Sequence, residues 1–131
     1  MVKVGDVMAK SVFTVSRSNK IKETADLMKR NGVGSLLVKD GDQFVGIITE
    51  TDIVHKVVAM GISPESAGVD AVMSFPLMTI EADEAIEQAG RRMLEMGIRH
   101  LAVTQDGDVT GMISMRDLLG PIYSRSEGPG S

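Results

Sequence analysis

A hydroxyl and a carboxylate three residues apart, where an apolar strand gives way to a helix, occur twice in this chain. Thr49 and Asp52 close Gly46-Ile47-Ile48-Thr49-Glu50-Thr51-Asp52, and Ser114 and Asp117 close Gly111-Met112-Ile113-Ser114-Met115-Arg116-Asp117. Such a pair can do two things. It can cap its own helix, because a Ser/Thr N-cap with an acidic residue at the third helical position is close to a capping box. It can also hold a ligand. A helix N-terminus offers free N–H groups to a phosphate, the hydroxyl can donate to a phosphate oxygen, and the carboxylate can accept from both hydroxyls of a ribose. The two uses can coexist, the cap being exchanged for ligand contacts.

The elements that position these pairs are themselves duplicated, 65 residues apart and without a gap. Val7-Met8 returns as Val72-Met73, Thr14 as Thr79, Ile21 as Ile86, Met28 as Met93, Gly32 as Gly97, Gly46 as Gly111 and Asp52 as Asp117. Each copy reads as strand, helix, strand, strand, helix. The apolar positions Ile21, Ala25 and Met28, and Ile86, Ala89 and Met93, fall on one helix face. Ser18 and Asp83 are the predicted N-caps, and Gly32 and Gly97 the left-handed C-caps. Asp40-Gly41-Asp42 and Asp106-Gly107-Asp108 predict hairpin turns. Gly46 and Gly111, inside strands, mark either a bulge or tight packing, or the close approach of another group. The closing helix of the first copy should run from Thr49 to about Met60, whereas Gly120-Pro121 should shorten or kink that of the second. Ser63-Pro64 is a plausible start for one helical turn in the linker. The predicted organisation is one copy over residues 1–61, a linker over 62–70, a second copy over 71–123 and a disordered tail over 124–131.

Composition narrows the function classes. The chain has 131 residues, 43% of them hydrophobic, with a net charge of −4, ten Met, three Phe, one Tyr and no Trp. Each half is marginal for independent folding, so a shared core is expected. The acidic balance and the scarcity of aromatic platforms argue against nucleic-acid binding. Cysteine is absent, which excludes disulfides, thiolate chemistry and Cys-ligated zinc. With two His, His55 and His100, a metal site is not expected. The first residues lack an apolar signal region, and no apolar run approaches the ~20 residues that span a membrane. A soluble cytoplasmic protein is the expectation. Neither a Gly-x-Ser-x-Gly elbow nor a Gly-Lys-Ser/Thr phosphate loop is present, so no enzyme activity is expected.

The order of these motifs and their duplication resemble the CBS-domain pair, or Bateman module, over residues 4–122. The resemblance implies an α/β (α+β) fold in which two β-α-β-β-α motifs pack sheet to sheet about a pseudo-two-fold axis. It implies clefts between the motifs that bind AMP, ADP, ATP or S-adenosylmethionine as regulatory ligands. One site would centre on Thr49, for phosphate, and Asp52, for ribose. Gly34 and Ser35 would line it, and the leading segment of the other copy, with Pro76 and Leu77, would help hold the base. The second would centre on Ser114 and Asp117, with Arg99, His100 and Arg116 nearby and Lys10, Ser11, Val12 and Phe13 completing it. Arg99, Arg116 and Lys10 favour a phosphate, so the Asp117 site is expected to be the tighter. The resemblance further implies a homodimer through the closing helices, with output to an unidentified effector protein. The alternative is a structural dimerisation module without a ligand.

Overall fold

The computed structural model describes residues 1–126, with side chains through Pro121. Two compact units divide the chain: Phe13–Met78, and Met1–Val12 together with the chain from Thr79 onward. The unit boundaries therefore differ from the repeat boundaries at 61 and 71, because the leading segment of each repeat attaches to the body of the other.

The first unit contains β1 (Thr14–Ser16), α2 (Ile21–Asn31), β2 (Ser35–Asp40), β3 (Gln43–Thr49), α3 (Glu50–Ile53) and α4 (Val69–Val72). Its three strands form a sheet in the order β1-β2-β3, with β1 parallel and β3 antiparallel to β2. The second unit contains α1 (Val4–Val7), β4 (Thr79–Glu81), α5 (Ile86–Met96), β5 (His100–Gln105), β6 (Asp108–Ser114) and α6 (Met115–Ser126). Its sheet has the matching order β4-β5-β6. Short parallel strands joined to a hairpin by a crossover helix give the mixed α/β class read from the sequence.

Helical periodicity decides which side chains form the cores. Ile21, Thr24 and Met28 of α2 are buried, as are Ile86, Ala89 and Met93 of α5. Thr24 stands where the second copy has Ala89, and its hydroxyl donates to the Lys20 carbonyl at 3.0 Å. Leu36, Val38 and Ile48 join Ile21 and Met28 in one cluster. Each such burial contributes about 1.5–3 kcal/mol. Gly32 and Gly97 end these helices at φ 62° and 65°, as read from the sequence.

The N-caps differ from those predicted. Helix α2 starts after Lys20 and α5 after Ala85. Ser18 is drawn into a tight turn in which its N–H donates to Ser16 Oγ and Asn19 N–H donates to the Ser16 carbonyl. The first helical N–H groups find backbone carbonyls instead of a side-chain cap: Ile21 donates to Ala67 and Ile86 to Val2. These acceptors are themselves one repeat apart, so equivalent exchanged segments serve the two helices.

The closing helices differ between the copies. After Ile53 the first widens into a π-helical turn, Val54–Val58, with Ala59 N–H donating to the Val54 carbonyl at 2.9 Å. In the second copy α6 continues through Pro121 to Ser126, so the proline does not end the helix early. Its fixed φ is helical, which lets the helix run on, at the cost of its own missing N–H and of crowding against the carbonyl four residues before it. The linker holds a single turn, with Ser66 and Ala67 N–H donating to the Ser63 carbonyl at 3.0 Å. The disordered tail expected from 124 meets the end of α6 at Ser126, and residues 127–131 lie outside the described residues. Among the described residues, no helix is long and apolar enough to cross a membrane.

Candidate ligand site

Each hydroxyl–carboxylate pair lies where a hairpin strand passes into a helix. In the first unit Ser35 pairs with Thr49 across β2 and β3, and Glu50 N–H donates to the Gly34 carbonyl at 3.0 Å. In the second, His100 pairs with Ser114 across β5 and β6, and Met115 N–H donates to the Arg99 carbonyl at 2.9 Å. The backbone thus brings Gly34 and Ser35 to Thr49, and Arg99 and His100 to Ser114.

Both glycines read as sites of close approach are that, and each also adjoins a bulge. The extra residue is Val45 in β3 and Thr110 in β6. A Cβ on Gly46 would lie 2.7 Å from the Ser74 carbonyl oxygen, and one on Gly111 2.7 Å from that of Ala9. The glycines let the exchanged leading segments lie flat on the hairpins. Ile47 and Ser74 then exchange backbone hydrogen bonds of 3.0 and 2.8 Å, and Met112 and Ala9 bonds of 3.0 and 2.8 Å. Position 74, or 9, is thereby carried to the carboxylate.

Both pairs form the capping box. Asp52 Oδ2 accepts from Thr49 N–H at 3.0 Å and Thr49 Oγ1 at 3.2 Å, and Asp52 N–H donates to Thr49 Oγ1 at 3.2 Å. Asp117 Oδ2 accepts from Ser114 N–H at 2.8 Å and Ser114 Oγ at 3.1 Å, and Asp117 N–H donates to Ser114 Oγ at 3.3 Å.

The second carboxylate oxygen separates the copies. Asp52 Oδ1 accepts from Ser74 Oγ at 3.0 Å and lies 3.0 Å from Lys56 Nζ, which also donates to the Val72 carbonyl at 3.0 Å. Asp52 is 7% exposed. In the second copy the positions of Ser74 and Lys56 hold Ala9 and Pro121, and neither can donate from its side chain. Asp117 is only half-buried, and its Oδ1 has no hydrogen-bond or ion-pair partner among the described residues.

Charge follows the same asymmetry. The Glu50 carboxylate lies over Gly34, where a Cβ would collide with it. The second copy has Met115 in place of Glu50 and Arg99 in place of Gly34. Arg99 and Arg116 are exposed and hold no ion pair among the described residues. Lys10 and Ser11 are exposed and Val12 half-buried in the same unit as Asp117. Phe13 belongs to the other unit, where its carbonyl accepts from Leu37 N–H at 3.1 Å and extends the β1–β2 pairing by one residue. Pro76 is exposed and Leu77 half-buried beyond Ser74, and neither bonds to Asp52. Lys56 was missed by the sequence reading. Its signal was the i,i+4 spacing from Asp52, combined with a proline at the matching place in the other copy.

A duplicated β-α-β-β-α unit whose third strand ends in a Ser/Thr-x-x-Asp cap defines a tandem-repeat α/β module. The chain belongs to the CBS-domain family, which matches residues 4–59 and 69–123. It is 38% identical over 120 residues to an uncharacterised protein of Methanopyrus kandleri, covering 90% of this chain and 61% of that protein. It is 31% identical over 118 residues to the CBS domain-containing protein YhcV of Bacillus subtilis, covering 90% and 84%. Among solved structures, a CBS-domain protein from Burkholderia ambifaria MC40-6 superposes with a TM-score of 0.87 at 30% identity, covering 94% of this chain and 90% of that one. The hexameric CBS-CP12 protein from bloom-forming cyanobacteria gives 0.88 at 28%, covering 98% and 75%.

Proposed function

We propose that this CBS pair is a regulatory module that binds an adenosine-containing ligand (AMP, ADP, ATP or S-adenosylmethionine) with Asp117 as the ribose-gripping group. The observation that carries this is the divided carboxylate of Asp117. Oδ2 is fixed by the Ser114 cap, while Oδ1 has no partner among the described residues and sits on a half-buried side chain. A carboxylate held rigid by one oxygen and open at the other is suited to accept from vicinal hydroxyls. Arg99 and Arg116 supply cationic donors for a phosphate. One charged hydrogen bond contributes about 1.5–3 kcal/mol, enough to set the preferred site.

Self-association accompanies this reading. Val54, Val58, Met60 and Ile62 are all exposed at the end of the first closing helix, an apolar run suited to a second copy of the chain. The CBS-CP12 relative is a hexamer. The output then passes to an effector protein or through the assembly, provided that the ligand binds two states of the module with different affinity.

A melting screen with AMP, ADP, ATP and S-adenosylmethionine tests the reading. A ligand at 100 times its Kd should stabilise the fold by about 2.7 kcal/mol. Asp117→Ala should abolish that gain. No shift with any of the four at millimolar concentration would instead leave a dimerisation module, to be checked by sedimentation.

A further inference from the structure

We infer that Lys56 is a built-in occupant of the first copy's carboxylate, which silences that copy so that the module takes one adenosine ligand per chain, at Asp117. The inference rests on the proposed ribose-binding role of Asp117 and adds to it a reason why the duplicated motif is not used twice.

Three observations converge on Lys56. Its ammonium lies 3.0 Å from Asp52 Oδ1 and 3.0 Å from the Val72 carbonyl, so it joins the closing helix to the exchanged leading segment. Ser74 Oγ donates to the same Oδ1 at 3.0 Å. With Thr49 N–H and Oγ1 on Oδ2, both carboxylate oxygens each have two partners. A sugar diol would have to displace an ammonium with neutral hydroxyls, exchanging a charge-assisted contact for weaker ones. It would also have to reach a side chain that is 7% exposed. Glu50, folded over Gly34, adds a like charge against any phosphate arriving there. None of these groups survives in the second copy, where Pro121, Ala9 and Met115 stand in place of Lys56, Ser74 and Glu50. The substitutions that open Asp117 are the ones that close Asp52, and all lie at matched positions of the repeat.

Titration calorimetry with adenosine, AMP and ATP on the full chain tests this. Adenosine is included because, being uncharged, it does not sense Glu50. The wild type should bind one equivalent, Asp117→Ala should bind none, and Asp52→Asn should retain that equivalent with its Kd changed less than threefold. Lys56→Met combined with Ser74→Ala should raise the stoichiometry to two, and should restore one equivalent to the Asp117→Ala chain. Two equivalents in the wild type, or one retained by Asp117→Ala, would overturn the inference using chains that do not depend on the Lys56 variant folding. A tenfold loss of affinity on Lys56→Met alone would also overturn it, since Lys56 would then be a ligand contact. A wild type that binds nothing, with the Lys56→Met/Ser74→Ala chain binding one equivalent, would refute the ribose role of Asp117 and keep Lys56 as the occupant. Silence from both chains would refute both.

Discussion

Lys56 Nζ stands 3.0 Å from Asp52 Oδ1, and one repeat further along the chain the same position is Pro121 beside Asp117. This difference predicts unequal structural roles for two carboxylates in nearly identical caps. Removing either one loses its cap, about 1 kcal/mol. Asp52→Ala also loses the Lys56 pair and the hydrogen bond from Ser74 Oγ, the latter about 0.5–1.5 kcal/mol. Lys56 is 46% exposed, so the pair is worth close to a surface value, about 0.2–1 kcal/mol. The Asp52 variant should therefore be destabilised by about 2–3 kcal/mol and the Asp117 variant by about 1 kcal/mol. Urea unfolding of the two chains side by side measures the difference, and equal losses would show that Lys56 and Ser74 together contribute nothing to the fold.

The bulge in β6 leaves a correctable flaw. Thr110 Oγ1 is buried without a hydrogen-bond partner among the described residues, whereas the first copy has Val45 at the same bulge. A buried hydroxyl without a partner costs about 1–3 kcal/mol. Thr110→Val removes the hydroxyl at nearly constant shape and should raise stability by about 1 kcal/mol, some 3–5 °C in Tm for a chain of this size. The reverse exchange, Val45→Thr, should lower it. A drop in Tm for Thr110→Val would mean that the hydroxyl is satisfied in solution.

Much of this architecture is legible in the residues because local rules and the duplication agree. The left-handed caps at Gly32 and Gly97, the two-residue hairpin turns and the apolar faces of α2 and α5 each follow from side-chain chemistry within a few residues. The Thr49–Asp52 and Ser114–Asp117 caps were legible for the same reason. What local rules do not reach is the exchange of leading segments. Ile21 and Ile86 are capped by Ala67 and Val2, and no short-range pattern announces a carbonyl arriving from 46 or 84 residues away in the chain. The caps expected at Ser18 and Asp83 failed on this point. The compact units follow the exchanged segments, a division that the repeat by itself does not announce. The state of Asp52 was hidden likewise, since Ser74 reaches it only through that exchange.

The exchange itself depends on Gly46 and Gly111. At Gly111 an added methyl would lie 2.6 Å from Met8 Sδ and 2.7 Å from the Ala9 carbonyl oxygen. The sulfur can swing aside, but the carbonyl belongs to a bridge bonded in both directions to Met112. Gly111→Ala should therefore force the leading segment off the hairpin and cost about 1–3 kcal/mol. Amide exchange should localise the damage: the Ala9 and Met112 N–H groups lose protection first, while Leu101 and Ile113 in the sheet core keep theirs. Uniform loss of protection across the second unit would show that the bridge has no separate existence.

Acid should weaken the first unit through α2. The Lys20 N–H, together with the Asn19 amide, holds Glu23 below the usual carboxylate range. The Lys22 ammonium, bonded to Asp26 at 2.8 Å, does the same for Asp26. A carboxylate whose folded pKa is depressed stabilises the fold fully above its unfolded value, about 3.9 for Asp and 4.3 for Glu, and this is lost as pH falls through the lower folded value. Lys22 is shifted upward by the same pair, so on the alkaline side the contribution is full below about 10.4 and is lost as pH rises through the folded pKa of Lys22, while on the acid side it goes with the Asp26 charge. Tm should hence be level from pH 7 to about 5 and fall below about 4. Glu23→Gln/Asp26→Asn should start lower at pH 7 and converge with the wild type in strong acid. Because these side chains lie at the surface, 1 M salt should shrink the part of the gap that comes from the Lys22–Asp26 pair. The Glu23 contribution, a bond from a backbone N–H, should persist, so that the salt-resistant remainder measures the N-terminal cap of α2 alone.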